Sequence, residues 1–289
     1  MMERREFLGG MIGAGAALAA GEWDNFLPGA AARGSLRVGL ELYSLRKELD
    51  RDVPGALALA RKMGFAEVEV AMLHNLSAKE FAAALKAAGL KATSVAVTYE
   101  ELQTKLDLVK ERAAAFGAKW VMLAWIPHDG DFTVEMAKRV AGEMNEWGES
   151  LGKNGMRLAY HPHGYEFRPE SGGSAFDVLV KETNPKTVFF EVDTFWAEVA
   201  GQNSAQLITR LGSRVGLLHL KDLRKGAQTG VFTGAAADED CVALGDGVID
   251  WRRVLAAARR AGVERYFIED ESPAVEKQLP RSLQFLAKM

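Results

Sequence analysis

Met156-Arg157-Leu158-Ala159-Tyr160-His161-Pro162-His163-Gly164-Tyr165-Glu166-Phe167 changes character half-way along. Met156 to Tyr160 reads as a short buried strand, and the residues after it are polar and turn-prone. Residues i and i+2 of a strand face the same way. His161 and His163, two of the five histidines in the chain, therefore project together, with Glu166 at the following turn. Imidazole and carboxylate converging where a strand ends is how metal and acid/base sites are usually built. The plainer reading is a surface loop with a capping histidine.

Outward from this unit the same rhythm recurs. Strand-like runs fall at Leu36–Leu42, Phe65–Val70, Leu90–Val97, Lys119–Trp125, Met156–Tyr160, Thr187–Val192, Val215–Leu220 and Arg265–Ile268. Helical spacing follows each at Val53–Met63, Ala78–Ala88, Glu100–Phe116, Val134–Leu151, Ser174–Thr183, Ser204–Leu211, Asp250–Ala261 and Ala274–Ala287. Eight β-then-α units in about 250 residues predict a single-domain (β/α)8 TIM barrel. Glycines at Gly64, Gly89, Gly117 and Gly262 close helices just before the next strand, where a left-handed residue ends a helix. A doubly wound sheet would carry a glycine-rich phosphate turn after the first strand, but Glu41-Leu42-Tyr43-Ser44 stands there. The longest irregular stretch, Arg224 to Gly247, follows the seventh strand, and loops of that length are often functional.

At 289 residues and 48% hydrophobic, the chain has ample material for one large core. A net charge of −3 gives no basic footprint for nucleic acid. The single cysteine, Cys241, excludes an internal disulfide and any cysteine-cluster metal site. No run reaches the eighteen or so apolar residues of a membrane span. The N-terminus reads as an address. Arg4-Arg5 followed by Phe7-Leu8, the weakly apolar run Gly9–Ala20 and the small residues Ala30-Ala31-Ala32 resemble a twin-arginine export signal. Residues 1–32 are therefore expected to be a cleaved signal and 33–289 the barrel, exported folded to the periplasm.

In such a barrel the site lies at the C-terminal ends of the strands. Those ends offer Glu41 and Tyr43, Glu69, Trp125, the His161/His163/Glu166 group, Glu191, Asp193 and Trp196, His219, Lys221 and Asp222, and Glu269, Asp270 and Glu271. So many acids at one rim call for a cation. One ligand from each of strands five to eight gives Glu166, Asp193, His219 and Glu269. Three carboxylates and an imidazole favour Mn²⁺, Mg²⁺, Co²⁺ or Fe²⁺ over Zn²⁺.

At these residues the sequence resembles the sugar phosphate isomerase/epimerase group of xylose isomerase-like TIM barrels. The resemblance runs from about Val38 to the C-terminus. It is carried by Gly39–Arg46, Tyr160–Phe167, Glu191–Trp196, His219–Asp222, Leu244–Trp251 and Phe267–Asp270. It implies one divalent cation on Glu166, Asp193, His219 and Glu269, and a sugar or keto-sugar substrate. Many relatives carry a glutamate where His161 stands, so a strand-five histidine is the alternative first ligand, or a base. Glutamine is common at Glu41, and a histidine is common where this chain has Ala96.

The chemistry such a site suits is proton transfer next to a carbonyl, by isomerisation or epimerisation. Glu166 and Glu269 are the expected acid/base pair, with His161 or His163 as the alternative base and Lys221 beside a substrate oxyanion. Glu41, Tyr43, Glu69, Trp125 and Trp196 are the expected substrate contacts. Two rivals stand beside this. One is a lyase cleaving 3-keto glycosides by β-elimination, and the other a non-catalytic periplasmic sugar-binding barrel. Phosphodiester cleavage would need a histidine-rich multi-zinc cluster and a basic groove, and the sequence has neither. A homo-oligomer is compatible with the sequence, which does not specify one.

Overall fold

Strands buried on both faces lose the alternation of half-buried strands. Val215–Leu220 is such a run, with every residue buried. The computed structural model describes residues 36–170 and 172–289, and the export segment expected over residues 1–32 lies outside them. Eight parallel strands close into a barrel. They are β1 (Val38–Glu41), β2 (Glu67–Val70), β3 (Lys91–Val97), β4 (Trp120–Leu123), β5 (Arg157–Tyr160), β6 (Val188–Asp193), β7 (Val215–Leu220) and β8 (Arg265–Ile268). Neighbours follow sequence order, and β8 pairs with β1 through Tyr266 opposite Val38 and Ile268 opposite Leu40.

The surrounding helices are α1 (Val53–Met63), α2 (Ala78–Ala87), α3 (Leu106–Phe116), α4 (Val134–Gly152), α5 (Ala175–Glu182), α6 (Ser204–Leu211), α7 (Trp251–Ala261) and α8 (Val275–Leu286). Their ends are written in the sequence. Ser77 and Glu80 form a capping box on α2, as Ser174 and Asp177 do on α5. Gly64 closes α1 at φ +110°, a conformation costly for any residue with a Cβ.

The barrel interior explains where the polar residues sit. Trp120, Ala159, Leu217 and Phe267 pack together as a core separate from the one beneath the helices. Gly39 makes room for it, since a Cβ there would meet the Phe267 ring at 2.7 Å. Gly216 does the same for the Trp120 ring. With a period of two, the next residue on the same face after Ala159 is His161, after Leu217 His219, after Phe267 Glu269 and after Gly39 Glu41. An apolar floor is thus followed along each strand by a layer of ligating groups.

Three local features depart from the sequence expectation. The helix expected over Glu100–Phe116 breaks at Lys105 (φ −137°) into Tyr99–Thr104 and α3. A short helix, Thr194–Val199, begins directly on β6 because the Asp193 side chain accepts the Trp196 amide at 2.9 Å. The irregular stretch after β7 is gathered by Asp222. Its carboxylate accepts the amides of Leu223 (2.9 Å), Gly245 (2.8 Å), Gly247 (3.3 Å) and Ile249 (3.2 Å) and the Trp251 indole (2.9 Å). Among the described residues no helix is long and apolar enough to cross a membrane.

Candidate metal centre

Four side chains from consecutive strands converge at the C-terminal mouth: His161, Asp193, His219 and Glu269, all buried. His161 Nε2 lies 2.9 Å from His219 Nδ1 and 3.7 Å from Asp193 Oδ2. His219 Nδ1 lies 3.1 Å from Glu269 Oε2 and 3.8 Å from Asp193 Oδ2. Asp193 Oδ2 and Glu269 Oε2 are buried with no hydrogen-bond partner among the described residues. Bonds of about 2.0–2.2 Å from N and O donors to one cation separate neighbouring donors by roughly 3–3.6 Å. The four residues therefore fit a cation, and the two orphaned oxygens are among the atoms that face it.

The electrostatics agree with a cation site. Burial pushes the Asp193 carboxyl up to about 6, against the pull of Lys221. Burial pulls the His161 imidazole down to about 3, and His219 adds to the effect, leaving a lone pair free to ligate. Glu269 also pays for burial, but Lys221 and His219 hold it well below the usual carboxylate range.

Glu166, the expected first ligand, is not in this group. Its carboxylate accepts the Tyr160 hydroxyl, the His163 amide at 3.1 Å and the Gly164 amide at 2.8 Å. Burial raises its pKa to about 7 although these bonds oppose the shift. Pro162 and Gly164 turn the chain sharply after β5, with Gly164 at φ +101°. His161 thus stays on the inner face while Glu166 folds back against the strand that precedes it. Residue i+2 of β5 reaches the cluster, and the turn residue does not.

Of the other expected site residues, two glutamates lie on the far side of the His219 ring. Glu69 Oε1 is 2.7 Å from His219 Nε2, and Glu41 belongs to the same Glu41/Glu69/His219 group. Both are buried. Tyr43 is half-buried, with Arg46 4.4 Å over its ring, and Trp125 is 38% exposed. His163 lies between Trp125 and Trp196, at ring-centroid distances of 5.1 and 5.5 Å. Its Nδ1 is 3.2 Å from the His161 carbonyl, and Nε2 has no hydrogen-bond partner among the described residues. Lys221 is fully buried, paired with Glu271 and 3.5 Å from Glu269 Oε2, with the Phe195 and Trp196 rings 5.0 and 5.2 Å from its Nζ. The stretch after β7 seats Gly234 against Trp125, where a Cβ would meet the indole at 2.7 Å.

Residues 57–289 match the family described as xylose isomerase-like TIM barrel. The chain belongs to that family. An inosose dehydratase of Geobacillus thermodenitrificans (strain NG80-2) is 28% identical over 164 residues, covering 50% of this chain and 50% of that relative. The chain thus spans about half the length of that relative. A sugar phosphate isomerase/epimerase from Parabacteroides distasonis ATCC 8503 superposes with a TM-score of 0.71 at 22% identity, over 87% of this chain and 98% of that one. The IolI protein, solved with a zinc atom bound, gives a TM-score of 0.65 at 18% identity over 88% and 96%. At these identities the likeness to the solved structures is one of fold.

Within this xylose isomerase-like barrel, two functional placements escape a sequence reading. Glu191 is wholly buried 3.3 Å from His219 Nε2. Its position two residues before Asp193 on one strand was the available signal, because i and i+2 share a face. Asp222 organises the loop rather than the site, and nothing in His219-Leu220-Lys221-Asp222 alone distinguishes the two roles.

Proposed function

We propose that this protein is a divalent-metal-dependent lyase or dehydratase acting on a keto-sugar or related polyhydroxy ketone. The observation that carries the reading is the His161/Asp193/His219/Glu269 quartet with its two orphaned carboxylate oxygens, set beside the His163 imidazole, whose Nε2 has no hydrogen-bond partner among the described residues. Two imidazoles and two carboxylates suit Zn²⁺, Mn²⁺, Fe²⁺ or Co²⁺ better than Mg²⁺. Bound there, such an ion supplies polarisation of the substrate carbonyl.

The chain does the rest. His163 Nε2 takes the proton next to the carbonyl. The electrons of that C–H bond form the new double bond as the β C–O bond breaks, and the His163 imidazolium hands its proton to the leaving oxygen, which departs as water in a dehydration or as an alcohol in glycoside cleavage. Lys221 holds the Glu269 carboxylate in place. Trp125 and Trp196 flank the imidazole and shield it from water, and Tyr43 borders the entrance. Isomerisation or epimerisation begins with the same abstraction but needs a second acid/base group. Glu166, expected in that role, has its carboxylate committed to Tyr160, His163 and Gly164. The inosose dehydratase relative supports elimination. The isomerase/epimerase neighbours support the fold and leave the second reading with no assembled residue pair.

The test is product analysis. Metal-loaded protein is incubated with 3-keto glycosides, polyhydroxy cyclic ketones and free ketoses in deuterated water. The expected product is the unsaturated ketone. An epimerised or isomerised ketose carrying deuterium, without elimination product, would overturn the reading. We also propose that Arg4-Arg5 and the run behind them direct the folded, metal-loaded barrel to the periplasm.

A further inference from the structure

The helical layer carries a charge pattern that the metal centre does not explain. α7 (Trp251–Ala261) holds four arginines, Arg252, Arg253, Arg259 and Arg260, and no acidic residue. The chain as a whole has a net charge of −3. Arg252 and Arg253 stand in the first turn of α7, where the helix dipole favours acids and disfavours cations. Both are exposed, so no burial of the side chain offsets that placement.

α6 (Ser204–Leu211) packs beside α7, and a groove of about 650 Å³ opens between them. Half-buried Ala205 and Ala256 and exposed Arg210, Arg252, Arg253 and Arg260 are among the residues that line it, and no carboxylate does. Arg210 pairs with Asp177 at 2.9 Å and Arg253 with Asp250 at 3.3 Å, whereas the guanidiniums of Arg252 and Arg260 have no ion-pair partner among the described residues. Exposed pairs such as these two hold a guanidinium only weakly.

We propose that this groove is an anion site for a small soluble molecule carrying at least two phosphate groups. A guanidinium presents its donors as a planar fork that matches phosphate oxygens two at a time, and it keeps its charge throughout the working pH range. The two uncommitted guanidiniums balance the roughly −1.5 to −2 charge of one phosphate monoester. Arg210 and Arg253, released from their exposed acids, serve a second. The volume of about 650 Å³ lies in the range of small-molecule sites. A nucleic acid would call for a broader basic footprint than a chain of net charge −3 offers. None of the lining residues belongs to the metal quartet or to the groups around His163. The site therefore depends neither on a bound metal nor on the reaction assigned to it.

The test titrates full-length protein with pyrophosphate by calorimetry. The expected result is saturable binding of about one equivalent, weakened as salt screens the guanidiniums. Arg252→Gln combined with Arg260→Gln should lower the affinity about tenfold or more, the worth of a lost charge-assisted contact, with metal content and turnover unchanged. Arg259→Gln removes one charge from the same helix without touching the groove and should bind as wild type does. Asp193→Asn should also bind as wild type does, which separates the groove from chelation at the quartet. The absence of saturable binding would overturn the proposal. So would equal weakening in Arg259→Gln, which would reduce the effect to net charge, or binding lost in Asp193→Asn and untouched in the double variant. Cosedimentation with phosphatidic acid vesicles is the second arm, and binding to vesicles without binding to pyrophosphate would replace the soluble ligand with a membrane surface and overturn it as well.

Discussion

The hydroxyl of Tyr160 donates to the carboxylate of Glu166 across the turn that ends β5. Both oxygens of Glu166 accept hydrogen bonds in this arrangement, Oε1 from the Tyr160 hydroxyl and the His163 amide and Oε2 from the Gly164 amide. Glutamine must present an amino group to one of these donors. Glu166→Gln is therefore expected to destabilise the protein by about 1–3 kcal/mol, the cost of a buried donor left unmatched, while metal content stays at the wild-type level. Urea unfolding and elemental analysis read both. Loss of metal at unchanged stability would return Glu166 to the ligand set.

The quartet makes the opposite forecast. Asp193→Asn and His219→Ala should weaken metal binding by more than the roughly 10–100-fold that an outer partner is worth. Chelator competition gives the number. A variant that retains its metal would remove that residue from the centre.

His163 is expected to be the base, so His163→Ala should lower turnover by about 10²–10⁴-fold, a usual general-base contribution, with metal content intact. It should also stop exchange of the substrate α-hydrogen with deuterated water. Exchange that persists in His163→Ala but disappears in Glu269→Gln would move the base to Glu269.

Much of this was legible in the sequence. Eight recurring strand-then-helix units and helix-closing glycines declare the barrel, and Asp193, His219 and Glu269 fall at strand ends by counting alone. Glu166 shows the limit. Residues on a strand inherit their direction from the strand, whereas one beyond Pro162-His163-Gly164 takes its direction from a turn whose dihedrals are set by packing. Asp222 and Glu191 differ by the same logic. Glu191 was placeable from Asp193, while Asp222 depends on a loop that returns some twenty residues later.

Gly216 lies against the Trp120 ring in the barrel floor. Gly216→Ala should cost about 1–3 kcal/mol, a typical price of overpacking, with metal stoichiometry preserved. An unchanged unfolding midpoint would mean the ring moves aside freely.

At the surface, burial raises the Glu101 carboxyl, but the Arg112 guanidinium and the Thr98 amide more than reverse this and hold it below its ordinary 4.5. The pair's contribution is therefore present above that value and is lost as pH falls through the lower folded one. Wild type and Glu101→Gln should differ in stability at neutral pH and converge in acid. A difference that grows on acidification would contradict the sign.

Replacing Arg4 and Arg5 with lysine should leave the protein in the cytoplasm. Fractionation of a reporter fusion decides it, and unchanged export would end the twin-arginine assignment.

The chain's one thiol lies at the root of the irregular stretch after β7, the one that seats Gly234 against Trp125. Cys241 pairs with Leu223, is 2% exposed and has Sγ 3.8 Å from Asp270 Oδ1, and burial raises its pKa further from the reactive range. Alkylation must wait for that root to detach, so the labelling rate is a clock for how often the stretch after β7 is released. With no second cysteine to confuse the signal, mass spectrometry of untouched wild-type protein can time substrate access, and an occupied site should slow the clock.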